Sequence, residues 1–187
     1  MNNNKVKKLI RQLLIEIGEN PDREGLKKTP ERVLRSLQFL TQGYNEKPRS
    51  IINNAVFKAE ANNMIIVRDI EIYSLCEHHL LPFFGRCHIG YIPTKKVLGV
   101  SKICRLVNVF SRRLQIQERL TSQLAQEIMG AINAEGVGVV IECRHLCKMM
   151  RGVEKQNSIM TTSSVLGSFL EQPATRAEFL TLLNRNI

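Results

Sequence analysis

The run Cys76-Glu77-His78-His79 places a thiolate and an imidazole three positions apart, with a second imidazole beside them. A soft sulfur paired with a borderline nitrogen suits zinc, whereas magnesium and calcium take oxygen ligands. Two donors do not complete a site. The chain holds four histidines (His78, His79, His88, His145) and five cysteines (Cys76, Cys87, Cys104, Cys143, Cys147), so few positions can supply a third. Cys143-Arg144-His145-Leu146-Cys147 is the richest remaining cluster, and Cys143 and Cys147 compete within it for the role of ligand. The two clusters lie far apart in the chain. A closed structural zinc site usually shows two compact ligand pairs instead, so this spacing fits three protein ligands with one coordination position open for water, the arrangement of catalytic zinc.

Further polar residues at helix starts suggest a polyanion site. Ser101 opens a predicted helix with Lys102 and Arg105 near its beginning, where unpaired backbone N–H groups and the positive dipole end favour an anion. Arg151-Gly152 could add a third cation and a backbone that permits close approach. Gln117-Glu118 begins another helix. A carboxylate there fits the helix dipole, and it could also accept two hydrogen bonds from the N1–H and exocyclic amine of a guanine. Cys87, Cys104 and His88 lack partners at ligand spacing and are expected to be structural.

The elements that must carry these groups follow from periodicity. Val6, Leu9, Ile10, Leu13, Leu14 and Ile17 recur at helical spacing up to Pro21. A second helix is predicted from Thr29 as N-cap and Pro30 as first helical residue to just before Gly43. Residues 45–63 form a polar connector. Strands are predicted over Met64–Tyr73 and Phe83–Ile92, so the Cys76 cluster sits in their connection, with Pro82 stiffening its exit. The Ser101 helix carries an apolar stripe at Ile103, Leu106, Val107 and Phe110. The next helix runs from Gln117 to Ala134 and ends at Gly136. Val137 to Cys147 alternates as a strand, which would put His145 and Cys147 on one face. A last strand is expected over Ser158–Ser164, then a helix opened by the capping box Thr175-x-x-Glu178.

Composition sets the outer bounds. The 187 residues suffice for one sizeable core, and 43% hydrophobic with 24% charged residues is ordinary for a globular chain. No run of about 18 apolar residues predicts a membrane span. The N-terminus lacks the apolar stretch of a secretory signal, and the odd number of cysteines predicts a reducing compartment, hence the cytoplasm. A net charge of +10 invites nucleic-acid binding. The cations are dispersed, however, and 5% aromatics without tryptophan offer no stacking platform, so a small polyanion is the better expectation.

Three dispersed stretches in order resemble the GTP cyclohydrolase type I family: Ser74-Leu75-Cys76-Glu77-His78-His79, Ser111 to Thr121 (SRRLQIQERLT), and His145-Leu146-Cys147-Lys148-Met149-Met150-Arg151-Gly152. The resemblance implies that GTP and water give formate and 7,8-dihydroneopterin triphosphate, the first step toward tetrahydrofolate or other pterins. It implies Cys76, His79 and Cys147 as zinc ligands and His78 and His145 as catalytic imidazoles. Ser101, Lys102, Arg105 and Arg151 match triphosphate contacts, Gln117 and Glu118 the guanine-recognising pair, and Arg32 an arginine that reaches a neighbouring subunit's triphosphate. It also implies an α+β tunnelling fold, an antiparallel four-stranded sheet backed by helices. In that reading residues 1–50 form an N-terminal helical segment and residues 51–187 the catalytic domain. Pentamers would close their sheets into a β-barrel and pair as a homodecamer, with active sites at subunit interfaces. Asn62-Asn63, Cys143 and Lys148 depart from the family's usual residues without removing a catalytic group. Two alternatives are a related tunnelling-fold enzyme acting on another purine or pterin, and a zinc-stabilised nucleic-acid-binding module.

Overall fold

The computed structural model describes residues 2–52 and 55–184. The chain divides into two compact units, Met1–Gln42 and Gly43–Ile187. The first holds α1 (Asn3–Glu16) and α2 (Thr29–Leu40). Asn2 caps α1 by accepting the Lys5 N–H, and an ion pair between Lys7 and Glu31 at 3.2 Å joins the two helices. Lys28, not Thr29, occupies the N-cap of α2 and makes no side-chain cap, because Thr29 is already helical ahead of Pro30. The apolar stripe of α1 is helical as predicted, yet Leu9, Leu13 and Ile17 are exposed.

A 3-10 turn (Gln42–Asn45) spans the boundary, and α3 (Pro48–Ile52) and β1 (Val56–Lys58) follow in the second unit. These short elements fill the segment predicted as an unpatterned connector. β2 (Ile65–Cys76) and β3 (Pro82–Ile92) form a long hairpin, and β4 (Lys96–Leu98) pairs with β1. Then come α4 (Val100–Ser111), β5 (Leu114–Gln115), α5 (Gln117–Ile132), β6 (Gly136–His145), α6 (Leu146–Met149), β7 (Met160–Gly167), α7 (Ser168–Glu171) and α8 (Pro173–Leu183). Helix α5 stops at Asn133, which adopts a left-handed φ of 50°, so Gly136 starts β6 and does not end the helix. Helix α8 begins at Pro173, so Thr175 cannot be its N-cap; its hydroxyl instead donates to Gln172 Oε1 at 3.1 Å.

The main sheet has the order β5-β2-β3-β6-β7. Each of its four long strands is antiparallel to its neighbours, as expected, and the two-residue β5 adds a parallel edge beside the end of β2. Strand alternation sends Val137, Val139, Ile141 and Cys143 of β6 into the principal core with Ile103, Leu106 and Val107 of α4 and Leu120, Leu124 and Ile128 of α5. Burying each such side chain contributes about 1.5–3 kcal/mol relative to exposure. The opposite face carries a second, smaller core of Val140, Phe169 and Phe179. Gly90 and Gly138 are cross-strand partners beneath it, and a Cβ on Gly138 would lie 2.7 Å from Phe169, so this pair makes the flat seat that the two rings need.

Candidate metal centre and active site

Cys76 ends β2, and the chain turns back at once into β3. Its amide donates to Leu81 O (2.9 Å), while Leu80, with a left-handed φ of 55°, donates to Cys76 O (2.8 Å). The Glu77 amide donates to Gln115 O at 3.0 Å, fastening the turn to β5, and the Glu77 carboxylate pairs with Arg119. This turn holds the sulfur of Cys76 3.8 Å from His78 Nδ1 and 3.9 Å from His79 Nδ1.

The third donor comes from the far end of β6. Register pairs Phe83 of β3 with His145, so the last residue of β6 lies beside the start of β3. Strand geometry stops there. Cys147 is in the short helix α6, and the predicted two-residue alternation does not extend to it. The helical turn nevertheless brings Cys147 to the hairpin, and the ligand atoms of Cys76, His79 and Cys147 all lie within 4.8 Å of one another. Among the described residues no other group of three such side chains is as close. Cys143, the rival ligand, points into the core at 1% exposure, and burial pushes its thiol up to about 12, where it does not ionise.

The three donors fit zinc. Bonds of about 2.3 Å to sulfur and 2.0–2.1 Å to nitrogen put tetrahedral ligands roughly 3.5–3.8 Å apart, close to the Cys76–His79 separation. Burial, then the adjacent Cys76 sulfur, push the Cys147 thiol up. A divalent cation reverses that balance, because a coordinating thiol ionises outright. Two neighbouring thiols with an imidazole are therefore a donor set that a cation would stabilise.

His145 stands beside this cluster. Its ring stacks on Phe83 at 4.7 Å with 7° between the planes, and Nε2 lies 2.8 Å from Gln117 Oε1. Burial lowers its pKa, the Glu118 carboxylate raises it, and Lys148 lowers it again. A cavity of about 320 Å³ is lined by His145, Cys147, Lys148, Ser158, Ile159 and Met160. Lys148 donates to Ser158 across it.

The remaining predicted residues are placed as follows. Glu118 is exposed in the first turn of α5 and close enough to act on His145. Gln117, its neighbour, is turned inward at 1% exposure. Ser101, Lys102 and Arg105 lie in the first two turns of α4, and Arg151 follows α6, where its charge favours the Cys147 thiolate. Arg32 is exposed on α2, in the first unit. Neither α4 nor Arg151 lines the cavity at Cys147. Sequence reasoning did not find Phe83 as the support of His145; only the β3–β6 register shows it.

A family model described as GTP cyclohydrolase I matches residues 6–184. The chain belongs to the GTP cyclohydrolase I family. It is 59% identical over 177 residues to GTP cyclohydrolase 1 of Methylococcus capsulatus, covering 95% of this chain and 96% of that relative. GTP cyclohydrolase 1 of Campylobacter lari is 58% identical over 180 residues, 96% of this chain and 95% of its own. Among solved structures, the archaeosine synthase QueF-Like in the apo form is 16% identical, with a TM-score of 0.48 over 58% of this chain and 97% of that one.

Proposed function

We propose that this chain is a zinc-dependent GTP cyclohydrolase I, a hydrolase that opens the guanine imidazole ring of GTP at C8, releases formate and forms 7,8-dihydroneopterin triphosphate, the first step of tetrahydrofolate or pterin biosynthesis. Near-complete coverage at 59% identity carries the reading, and the metal-competent triad supports it. Cys76, His79 and Cys147 would hold the ion, which when bound would supply Lewis acidity. Glu118 accepts hydrogen bonds from the guanine N1–H and exocyclic amine. Ser101, Lys102, Arg105 and Arg151 hold the triphosphate, with Arg32 contributed by a neighbouring subunit. Fixing both ends of the nucleotide places C8 for reaction and removes orientational entropy from the barrier. His145 and His78 are the proton carriers: as water adds to C8, one takes up the water proton and the other protonates the ring nitrogen, so that the C8–N bond breaks as the C8–O bond forms.

Residues 1–50 serve as the helical segment and residues 51–187 as the tunnelling-fold catalytic domain. The working form is a homo-oligomer, a decamer of two pentamers whose sheets close into a barrel, located in the cytoplasm and independent of nucleic acid and membrane. The exposed apolar stripe of α1 supports burial against another copy. No helix among the described residues is long and apolar enough to cross a membrane.

Metal analysis and product identification after incubation with GTP test the reading together. The protein is expected to carry zinc and release formate, and Cys147→Ser to lose both. Undiminished formate release by a metal-free Cys147→Ser protein would overturn it, as would turnover of another purine nucleotide in place of GTP.

A further inference from the structure

The hydrogen bonds around Gln117 have only one self-consistent direction. Its Nε2 lies 3.0 Å from Ile141 O and 2.9 Å from Met160 O, two carbonyls that can only accept. The amide NH2 must therefore face them, since the flipped rotamer would press Oε1 against two carbonyl oxygens. Thr121 Oγ1 lies 2.7 Å from the Gln117 backbone carbonyl and must donate to it. Thr162 Oγ1, 2.7 Å from Thr121 Oγ1, then donates to Thr121, and at 3.1 Å it can only share one of the two Gln117 amide hydrogens already directed at the carbonyls. With every donor assigned, Oε1 is left as a pure acceptor 2.8 Å from His145 Nε2. His145 must carry its proton on Nε2.

We infer that Gln117 is a positioning residue that holds His145 as the Nε2–H tautomer, which leaves Nδ1 as the bare nitrogen of the ring. The bond to Gln117 survives both protonation states, because the imidazolium also donates from Nε2. Phe83, stacked on the ring, fixes its plane, and the amide fixes which nitrogen is bare. At 1% exposure, with its side-chain amide engaged on both sides, the Gln117 side chain is turned to His145 and the sheet. Side-chain recognition of the base at this helix start then falls to the Glu118 carboxylate. The inference rests on the proposed function for its kinetic part only.

The test uses zinc-loaded protein with 15N-labelled histidine, whose four imidazoles are few enough to assign by subtracting the spectrum of a His145→Gln variant. In the unsubstituted protein above the His145 titration, the solid-state 15N spectrum should show Nε2 protonated and Nδ1 bare. Gln117→Met, which keeps the length but removes donor and acceptor, should give a mixture of tautomers. Its kcat for GTP should fall at least about ten-fold, with KM changed less than about two-fold, whereas Glu118→Ala should chiefly raise KM. An Nδ1–H tautomer in the unsubstituted protein refutes the assignment even if Gln117→Met fails to fold. So does a Gln117→Met protein whose KM rises ten-fold at unchanged kcat. A chain that shows the Nε2–H tautomer but never releases formate from GTP would sink the proposed function and leave the tautomer assignment standing.

Discussion

His88 shows how a single side chain can support the fold without entering the site. It pairs with the irregular stretch of β2, where register shifts between Val67 and Ile70 and Asp69 takes a left-handed φ of 58°. The bulge frees the Asp69 amide from the ladder, and His88 Nδ1 accepts it at 3.2 Å. Burial lowers the His88 pKa below its ordinary 6.5, against the opposing pull of Asp69 and Glu142 and with the help of Arg68 and Arg86. A depressed folded-state value means that the unfolded chain binds the proton first. The stabilisation is therefore complete above 6.5 and is lost as pH falls through the folded-state value. Urea midpoints should drop as pH is lowered from roughly 7.5 to 5, and the drop should shrink in His88→Gln, whose amide oxygen can still accept from Asp69. An equal drop in both proteins would rule His88 out as a source.

Elements, more than residues, decide which candidates meet. Gln117 and Glu118 read as a ligand pair because they are adjacent, but neighbours on a helix project about 100° apart, so one enters the core while the other faces out. The pairing of β3 with β6 then delivers Phe83 beneath His145 and brings α6 to the β2–β3 turn. The opposite face of that sheet depends on the Gly90–Gly138 pair. Gly138→Ala would set a methyl group 2.7 Å from Phe169 and 2.9 Å from Phe179. It is expected to cost about 1–3 kcal/mol by overpacking and to loosen α7 and α8 first. Hydrogen exchange should show that loss of protection confined to the C-terminal helices, with the α4–α5 core unaffected; uniform loss would contradict the two-core description.

At the scale of the whole molecule, the candidate metal site lies at the rim of a core built without it. The residues that fill the sheet–helix interior, from Ile72 through Val139, are buried by one another, and of the three ligands only Cys76 is buried with them. Chelation should therefore abolish formate release while leaving the far-UV circular dichroism unchanged. A zinc-stabilised binding module would unfold instead. Read alone, the sequence determined the helices and long strands, the Cys76–His79 half of the metal site and the family resemblance, because periodicity and i,i+3 spacing are local properties of the chain. Spacing alone left Cys143 as a rival to Cys147, the ligand that the resemblance implied, and the sequence reading missed α3, β1, β4 and β5, whose few residues form only against partners distant in sequence. Tertiary structure turned Cys143 into the core and lifted Cys147 out of the strand on a helical turn. It also set the Gln117 side chain against His145. Those choices depend on strand register and on the direction of hydrogen bonds between residues tens of positions apart, and no local pattern records either.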